Sequence, residues 1–182
     1  EIAAAYGRLN SKFRISYLMV PYSEFAGKTT VTEDEIKGYY EQHKQEFTVE
    51  TKQAEGKETV KETAPLEEMR ATIKSIIAEN KARPMAIESA NKIYADLKDA
   101  VSKENMTFEK AAAKLGLKVS ESKVFARGDY LEGIGESDNI AAAASLLKSG
   151  DISQPIETKK GILIFKVTAV EPFDPEKFKK DK

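Results

Sequence analysis

The stretch Leu146–Val167, LLKSGDISQPIETKKGILIFKV, constrains the fold more than any other part of the sequence. Its apolar helix end is followed by Gly150, and glycine most readily takes the left-handed conformation that closes a helix. Two short strand segments then flank the turn TKKG, which closes at Gly161. This order predicts an antiparallel hairpin that packs against the preceding helix.

An α+β fold is predicted for the C-terminal half. TFEKAAAKLG is typical of a short helix with Thr107 as N-cap and Gly116 as its C-terminal stop. SDNIAAAASLLKSG predicts a second capped helix that ends at Gly150, and LKVSESKVFARG contains a strand. Together with the hairpin, they predict helices over an antiparallel sheet in residues 105–172, in a unit that begins near residue 86.

A long helical arm is predicted for residues 65–104. Its apolar side chains recur at helical spacing, and Pro84 is expected to kink or interrupt the helix. The stripe comprises Leu66, Met69, Ile73, Ile76, Ile77, Ile87, Ala90, Ile93, Tyr94, Leu97 and Val101.

A helix, a strand and a second helix are predicted for residues 1–49. Between the helices, apolar residues alternate with polar ones from Phe13 to Met19, which is the period of a half-buried strand. Thr32 and Glu35 have the spacing of a capping box at the start of the second helix. Residues 50–64 and 173–182 are highly charged and predict a linker and a tail.

Composition excludes several functions. The chain has 29 basic and 30 acidic residues, so it lacks the net positive charge of a nucleic-acid-binding domain. No apolar run approaches the roughly 20 residues of a membrane span. There is no Cys and the only His is His43, which we interpret as a surface or helix-packing residue. We therefore predict no cofactor.

An acidic loop near two glycines is the remaining candidate for metal binding. It contains Asp129, Glu132, Glu136 and Asp138. Their spacing matches no calcium-binding loop, and we predict no metal site there.

The closing hairpin resembles the C-terminal signature of parvulin-type peptidyl-prolyl isomerases. Gly150, Ser153, Pro155, Thr158 and Gly161 fall at that family's positions, and the resemblance extends back through FARG and FEKAAAKLG to cover about residues 86–171. It implies two His residues on central strands, a Cys or Asp beside them, and a Met and a Phe that hold the proline ring.

The residues at those family positions differ here. The second His falls on Leu163, the Phe on Ile140 and the Met on Glu136. The strand of the first His falls within the arm, which contains no His. Because prolyl isomerisation needs polar groups that favour the twisted amide over the planar one, we predict a parvulin-like unit without catalytic residues.

The whole chain resembles the PpiD/SurA-type folding factors of the bacterial cell envelope. VTEDEIKGYYEQHKQEF (31–47) is similar to their lead-in to a catalytic parvulin domain, and the arm to the helices that follow that domain. Here the two are joined by residues 50–64 alone, so we interpret that linker as the site of a missing catalytic domain. The resemblance implies a periplasmic location, with any inner-membrane anchor upstream of Glu1, since the chain starts without Met and is expected to be a fragment.

These features predict a noncatalytic chaperone module that holds unfolded or nascent envelope polypeptides. Two alternatives stay open: part of an active isomerase whose catalytic domain lies outside the chain, or a dimerisation scaffold. The candidate client-binding residues are Tyr17, Met19, Tyr39, Tyr40, Met69, Ile73, Ile76, Tyr94, Ile140 and Leu163.

Overall fold

The computed structural model describes residues 11–51, 60–148 and 150–173. It shows a mixture of helices and antiparallel sheet, which confirms the predicted α+β class. The helices are α1 (Ser23–Ala26), α2 (Glu33–Gln42), α3 (Leu66–Lys103), α4 (Phe108–Lys114) and α5 (Asp138–Leu146). The strands are β1 (Lys12–Pro21), β2 (Thr48–Thr51), β3 (Val60–Thr63), β4 (Ser120–Glu121), β5 (Tyr130–Leu131), β6 (Gly135–Glu136), β7 (Ile156–Glu157) and β8 (Gly161–Glu171).

The chain divides into two compact units. Unit 1 contains Glu1–Tyr22 and Met85–Lys182, and unit 2 contains Ser23–Pro84. The strand predicted within residues 1–49 belongs to unit 1, and the second helix of that segment belongs to unit 2. Unit 1 joins β1 to the residues from Met85 onward.

Unit 1 is built on a four-stranded sheet with the order β4-β1-β8-β7. β1 and β8 are its central strands and pair antiparallel from Lys12↔Glu171 to Pro21↔Gly161. A bulge between Arg14 and Ile15 shifts the register once. The sequence analysis missed this pairing, because it joins strands about 150 residues apart and leaves no local signal.

β1 is buried on both faces, although its alternation predicted a half-buried strand. Phe13 and Ile15 are buried on one face, and Ser16, Leu18 and Val20 are also buried. A strand in the middle of a covered sheet needs side chains that tolerate burial on either side. Phe13 and Ile15 join a core cluster formed with β8, α5 and the segment from Phe125 to Ile134.

Helix α3 confirms the predicted arm but continues through Pro84. Proline removes one backbone donor from a helix, which predicted an interruption. The boundary between the units nevertheless falls at Pro84 and Met85, so each half of α3 belongs to a different unit.

The cap of α2 is confirmed, whereas that of α5 differs from the prediction. Thr32 and Glu35 form both hydrogen bonds of the capping box. Ser137 precedes α5 but makes no capping hydrogen bond, since its Oγ donates to the carbonyl of Ala126 at 2.7 Å. The helix also ends at Leu146, before Gly150.

The predicted linker 50–64 contains strand residues. β2 and β3 form an antiparallel hairpin with Thr48 opposite Thr63, whose hydroxyls lie 2.8 Å apart. At its base the Ala64 amide donates to the Phe47 carbonyl, and the Tyr40 hydroxyl donates to the Ala64 carbonyl at 2.7 Å. The predicted helix in residues 1–10, the central part of the linker (52–59) and most of the tail (174–182) lie outside the described residues.

Ion pairs join α2 and its N-terminal end to α3 within unit 2. Arg70 pairs with Glu33 and with Glu67. Lys81 pairs with Glu35 at 2.6 Å and donates to the Thr30 carbonyl at 2.7 Å. These contacts supplement a core cluster of Ile36, Tyr40, Phe47, Ile73 and Ile77.

Gly161 is the position where the central strand pair admits no side chain. A Cβ there would overlap the carbonyl oxygen of Val20 and lie 2.7 Å from Cα of Pro21, both of which are backbone atoms that cannot rotate away. We expect Gly161→Ala to lower the free energy of unfolding by about 1–3 kcal/mol, as overpacking does. Urea denaturation followed by circular dichroism measures this change.

Gly38 provides the matched control for Gly161. It lies within α2 and nothing comes within 4 Å of a Cβ built there. Gly38→Ala should stabilise the protein by up to about 1 kcal/mol through helix propensity. Equal effects of the two substitutions would contradict the close approach of β1 and β8 at Gly161.

The Glu35–Lys81 contact predicts acid sensitivity in unit 2. The hydrogen bond from Lys81, followed by that from the Thr32 amide, lowers the pKa of Glu35 below its ordinary value of 4.5. A lowered folded-state pKa adds stability above pH 4.5 that is lost as pH falls further. In urea midpoints measured from pH 7 to pH 3, Glu35→Gln should lose less stability below pH 4.5 than wild type. The control Glu41→Gln on the same helix should follow wild type.

Candidate functional site

The two central strands of unit 1 carry apolar and aromatic side chains where they meet. Tyr17 lies opposite Phe165, and Met19 lies opposite Leu163. Neither β1 nor β8 contains a His, and His43 belongs to unit 2. The central strands of the sheet are β1 and β8, whereas the arm, where the resemblance places the strand of the family's first His, is helical.

Leu163 and Ile140 are core residues rather than surface ones. Leu163 is fully buried between its cross-strand neighbours Met19 and Ile156, and Ile140 is 1% exposed on α5. Both belong to the cluster between the sheet and α5. They are therefore unavailable to a client unless the core opens.

Glu136, which the resemblance places at the family's Met position, is exposed and forms an ion pair. Its Oε1 lies 2.9 Å from Nζ of Lys159 in the turn before β8. The hydrogen bond from Lys159 to this carboxylate raises the pKa of Lys159 above its ordinary value. This corner of unit 1 is polar, unlike the apolar socket that the family's Met and Phe provide.

A cleft of about 520 Å³ opens beside β4 and β5. Tyr17 and Tyr130 both line it, and Tyr130 is 71% exposed, which makes it the most exposed aromatic side chain among the large hydrophobic residues described. The other lining residues are Glu121, Ser122, Lys123, Val124, Phe125, Asp129, Leu131, Glu132 and Ile134. We call this the Tyr17 cleft.

The acidic loop beside the Tyr17 cleft stabilises its own backbone. Asp129 accepts a hydrogen bond from the Ala126 amide at 2.7 Å. Asp138 pairs with Arg127 at 3.1 Å, while Glu136 pairs with Lys159. Across the described ranges, no group of three or more His, Cys, Asp or Glu side chains is arranged to hold a metal ion. Of the loop's carboxylates, Asp129 and Glu132 line the cleft, and Glu121 of β4 adds a third.

The predicted client-binding residues divide equally between the two units. Tyr17, Met19, Tyr94, Ile140 and Leu163 belong to unit 1, and Tyr39, Tyr40, Met69, Ile73 and Ile76 to unit 2. The apolar stripe on α3 is therefore divided between the two units.

In unit 2, two of the predicted residues are buried. Ile73 is fully buried and Tyr40, 7% exposed, stacks on Phe47 with ring centroids 5.7 Å apart. Met69, Ile76 and Tyr39 are half-buried.

Two half-buried tyrosines have polar neighbours that the sequence did not reveal. Tyr39 stacks on His43 at 4.1 Å, and Nδ1 of His43 lies 2.9 Å from Glu46. His43 thus packs on its own helix, as predicted. In unit 1, the hydroxyl of Tyr94 accepts a hydrogen bond from Gln154 at 3.2 Å.

Five large apolar residues among those described are exposed, and the three most exposed, Tyr130, Leu146 and Val170, were not among the predicted site residues. Leu146 and Val170 were read as part of regular helix and strand patterns, in which apolar residues normally face the core.

The fold and the closing hairpin define a parvulin-like module of helices and antiparallel sheet. A comparison with protein families matches residues 31–180 to the PPIC-type PPIase (peptidyl-prolyl isomerase) domain. The chain belongs to this family, which confirms the parvulin-like resemblance. Comparisons with curated proteins and with solved structures found no match. Among the described helices, none is long and apolar enough to cross a membrane.

Proposed function

We propose that this chain is a noncatalytic chaperone module of a periplasmic folding factor of the PpiD/SurA type. The observation that carries the proposal is the makeup of the two central strands, where Tyr17, Met19, Leu163 and Phe165 stand side by side. None of these side chains carries an ionised group or an imidazole. They therefore offer no hydrogen bond from such a group to stabilise a twisted prolyl amide.

The Tyr17 cleft supports binding of unfolded polypeptides. Tyrosine presents a large rigid surface with a polar tip, so it contacts many side-chain types without strict selectivity. Glu121 and Glu132 at the same cleft favour segments that also carry basic residues. Dispersed contacts of this kind give weak and adaptable binding, which suits a protein that must release its client.

The family membership favours a second candidate, in which the chain belongs to an active isomerase. We propose that its catalytic domain is the one missing between α2 and α3. The β2–β3 hairpin supports this proposal, because its two paired strands come directly before and directly after residues 52–59 in the sequence. A continuous reading frame that matches residues 1–182 in the encoding gene would exclude artificial removal of such a domain.

The two candidates predict different outcomes for this chain in a prolyl isomerisation assay. With a peptide containing one X–Pro bond, we expect the same relaxation as without protein, on the order of tens to hundreds of seconds. An active parvulin domain serves as the positive control. A rate that rises in proportion to the concentration of this chain would contradict the noncatalytic proposal.

Tyr130 tests the location of client binding. We expect the chain to suppress aggregation of a chemically unfolded client without ATP, and Tyr130→Ala to raise the half-effective concentration about tenfold, equal to ~1.4 kcal/mol. Because the side chain is 71% exposed, its removal should leave folding intact.

Leu115→Ala is the control for Tyr130→Ala. Leu115 is 37% exposed and does not line the Tyr17 cleft. If both variants suppress aggregation as well as wild type, the Tyr17 cleft is not the client site.

A further inference from the structure

A second cleft, of about 300 Å³, lies at the C-terminal end of α5. It is lined by Ser11, Phe13, Ala144, Ser145, Leu146, Leu147, Lys148 and Val170. It shares no lining residue with the Tyr17 cleft, so the two can be tested separately. We call it the Leu146 cleft.

Two aliphatic side chains are displayed at the Leu146 cleft. Leu146 is 82% exposed and Val170 is 51% exposed, while Phe13 lines the same cleft and is 2% exposed. A single exposed leucine is ordinary, but two exposed aliphatic residues lining one concave site are typical of a binding surface. The cleft therefore has a shape and polarity suited to an apolar side chain.

Within the part of the chain that the structure describes, no strand covers the edge of β8 beside this cleft. On the β7 side, Ile152 opposite Lys166 is the last bridge, and none of the described strands continues the ladder from Val167 to Glu171. On the other side, β1 continues to pair as far as Lys12↔Glu171. The last residues of β8, from Thr168 onward, are exposed.

The hydrogen-bonding groups of Val170 face this open edge. Val170 is paired with Phe13, whose own amide and carbonyl bond to Phe125 at 2.7 and 2.8 Å on the far side of β1. In an antiparallel ladder, the two residues of such a pair direct their backbone groups away from each other. The N–H and C=O of Val170 therefore point outward, where another strand could pair with them.

The charge at the Leu146 cleft indicates which charged side chains a bound segment should carry. Among the described residues that line the Leu146 cleft, Lys148 is the charged one, and its side chain is exposed at the rim. A bound segment that carries an acidic residue would gain from this ammonium group, and a basic one would be repelled.

We propose that the Leu146 cleft binds an extended polypeptide segment by strand addition to β8. The segment adds its backbone to the open edge at Val170 and inserts an aliphatic side chain beside Leu146, with an acidic residue near Lys148. Pairing with a sheet edge supplies affinity through the main chain, and the pocket supplies selectivity. That the bound segment belongs to an unfolded client rests on the proposed function. That the Leu146 cleft binds an extended segment does not rest on it.

A defined peptide tests the proposal with the whole chain. The probe is a fluorescein-labelled hexapeptide that alternates leucine or valine with threonine and contains one aspartate, and fluorescence anisotropy measures its Kd. Leu146→Ala should weaken binding about fivefold by removing apolar contact area. N-methylation of the peptide amide that would donate to β8 should weaken it about tenfold, because the side chains remain but one hydrogen bond is lost.

Matched controls separate the two parts of the site. Leu115→Ala should bind the peptide as wild type does, since Leu115 lies outside the Leu146 cleft. Replacement of the peptide's aspartate by lysine should weaken binding, and Lys148→Gln should remove that preference. If the N-methylated peptide binds as tightly as the parent, or Leu146→Ala has no effect, strand addition at this cleft is wrong.

Further measurements on the same variants distinguish other possible occupants of the Leu146 cleft. Sedimentation that shows a dimer, lost in Leu146→Ala and unaffected by the peptide, would assign the cleft to a second copy and overturn the proposal. Wild-type protein that suppresses client aggregation but does not bind the peptide would overturn this inference alone. Failure to suppress aggregation would instead overturn the proposed chaperone function.

Discussion

The antiparallel pairing of β1 with β8 is the constraint on which unit 1 depends. It joins the beginning of the described chain to its end, so the sheet cannot form until both are present. The cross-strand pair at Pro21 and Gly161 is so close that only glycine fits. Every cleft of unit 1 described above is bordered by β1 or β8 residues, because the other strands of the sheet are two residues long. The surface available for function is therefore set by this one pair.

The same pairing determines what chemistry the sheet can support. Leu163 and Phe165 are fully buried, and their partners Met19 and Tyr17 pack against the same cluster. An imidazole in such surroundings would need a buried hydrogen-bond partner to offset its desolvation. Apolar residues need none, so the side chains observed here fill the core without a buried polar partner. The sheet of unit 1 therefore forms without an imidazole on either of its two central strands.

Local features were predictable from the sequence, and long-range ones were not. The capping box at Thr32, the helix start at Thr107 and the strand from Phe13 follow from hydrogen-bonding and spacing rules that act over a few residues. The partnership of β1 with β8 depends on a pairing that no local pattern records. For the same reason, Leu163 could be placed in the core only once its neighbours were known, and Leu146 could be recognised as exposed only once α5 was seen to end there.

The order of the units along the chain predicts where the sequence can change in length. Unit 2 lies between two segments of unit 1, and within unit 2 the β2–β3 hairpin surrounds residues 52–59. Before unit 2, the Tyr22 amide donates to the Lys160 carbonyl at 3.1 Å and so ties that flank to the turn before β8. Within unit 2, the Ala64 amide donates to the Phe47 carbonyl at 2.9 Å, which joins the two sides of the β2–β3 hairpin. Because the entropy of closing a loop grows only slowly with its length, segments whose ends are fixed in this way can gain or lose a domain at little cost to the surrounding core. The sheet of unit 1 can therefore be preserved while the segments between its strands change in length.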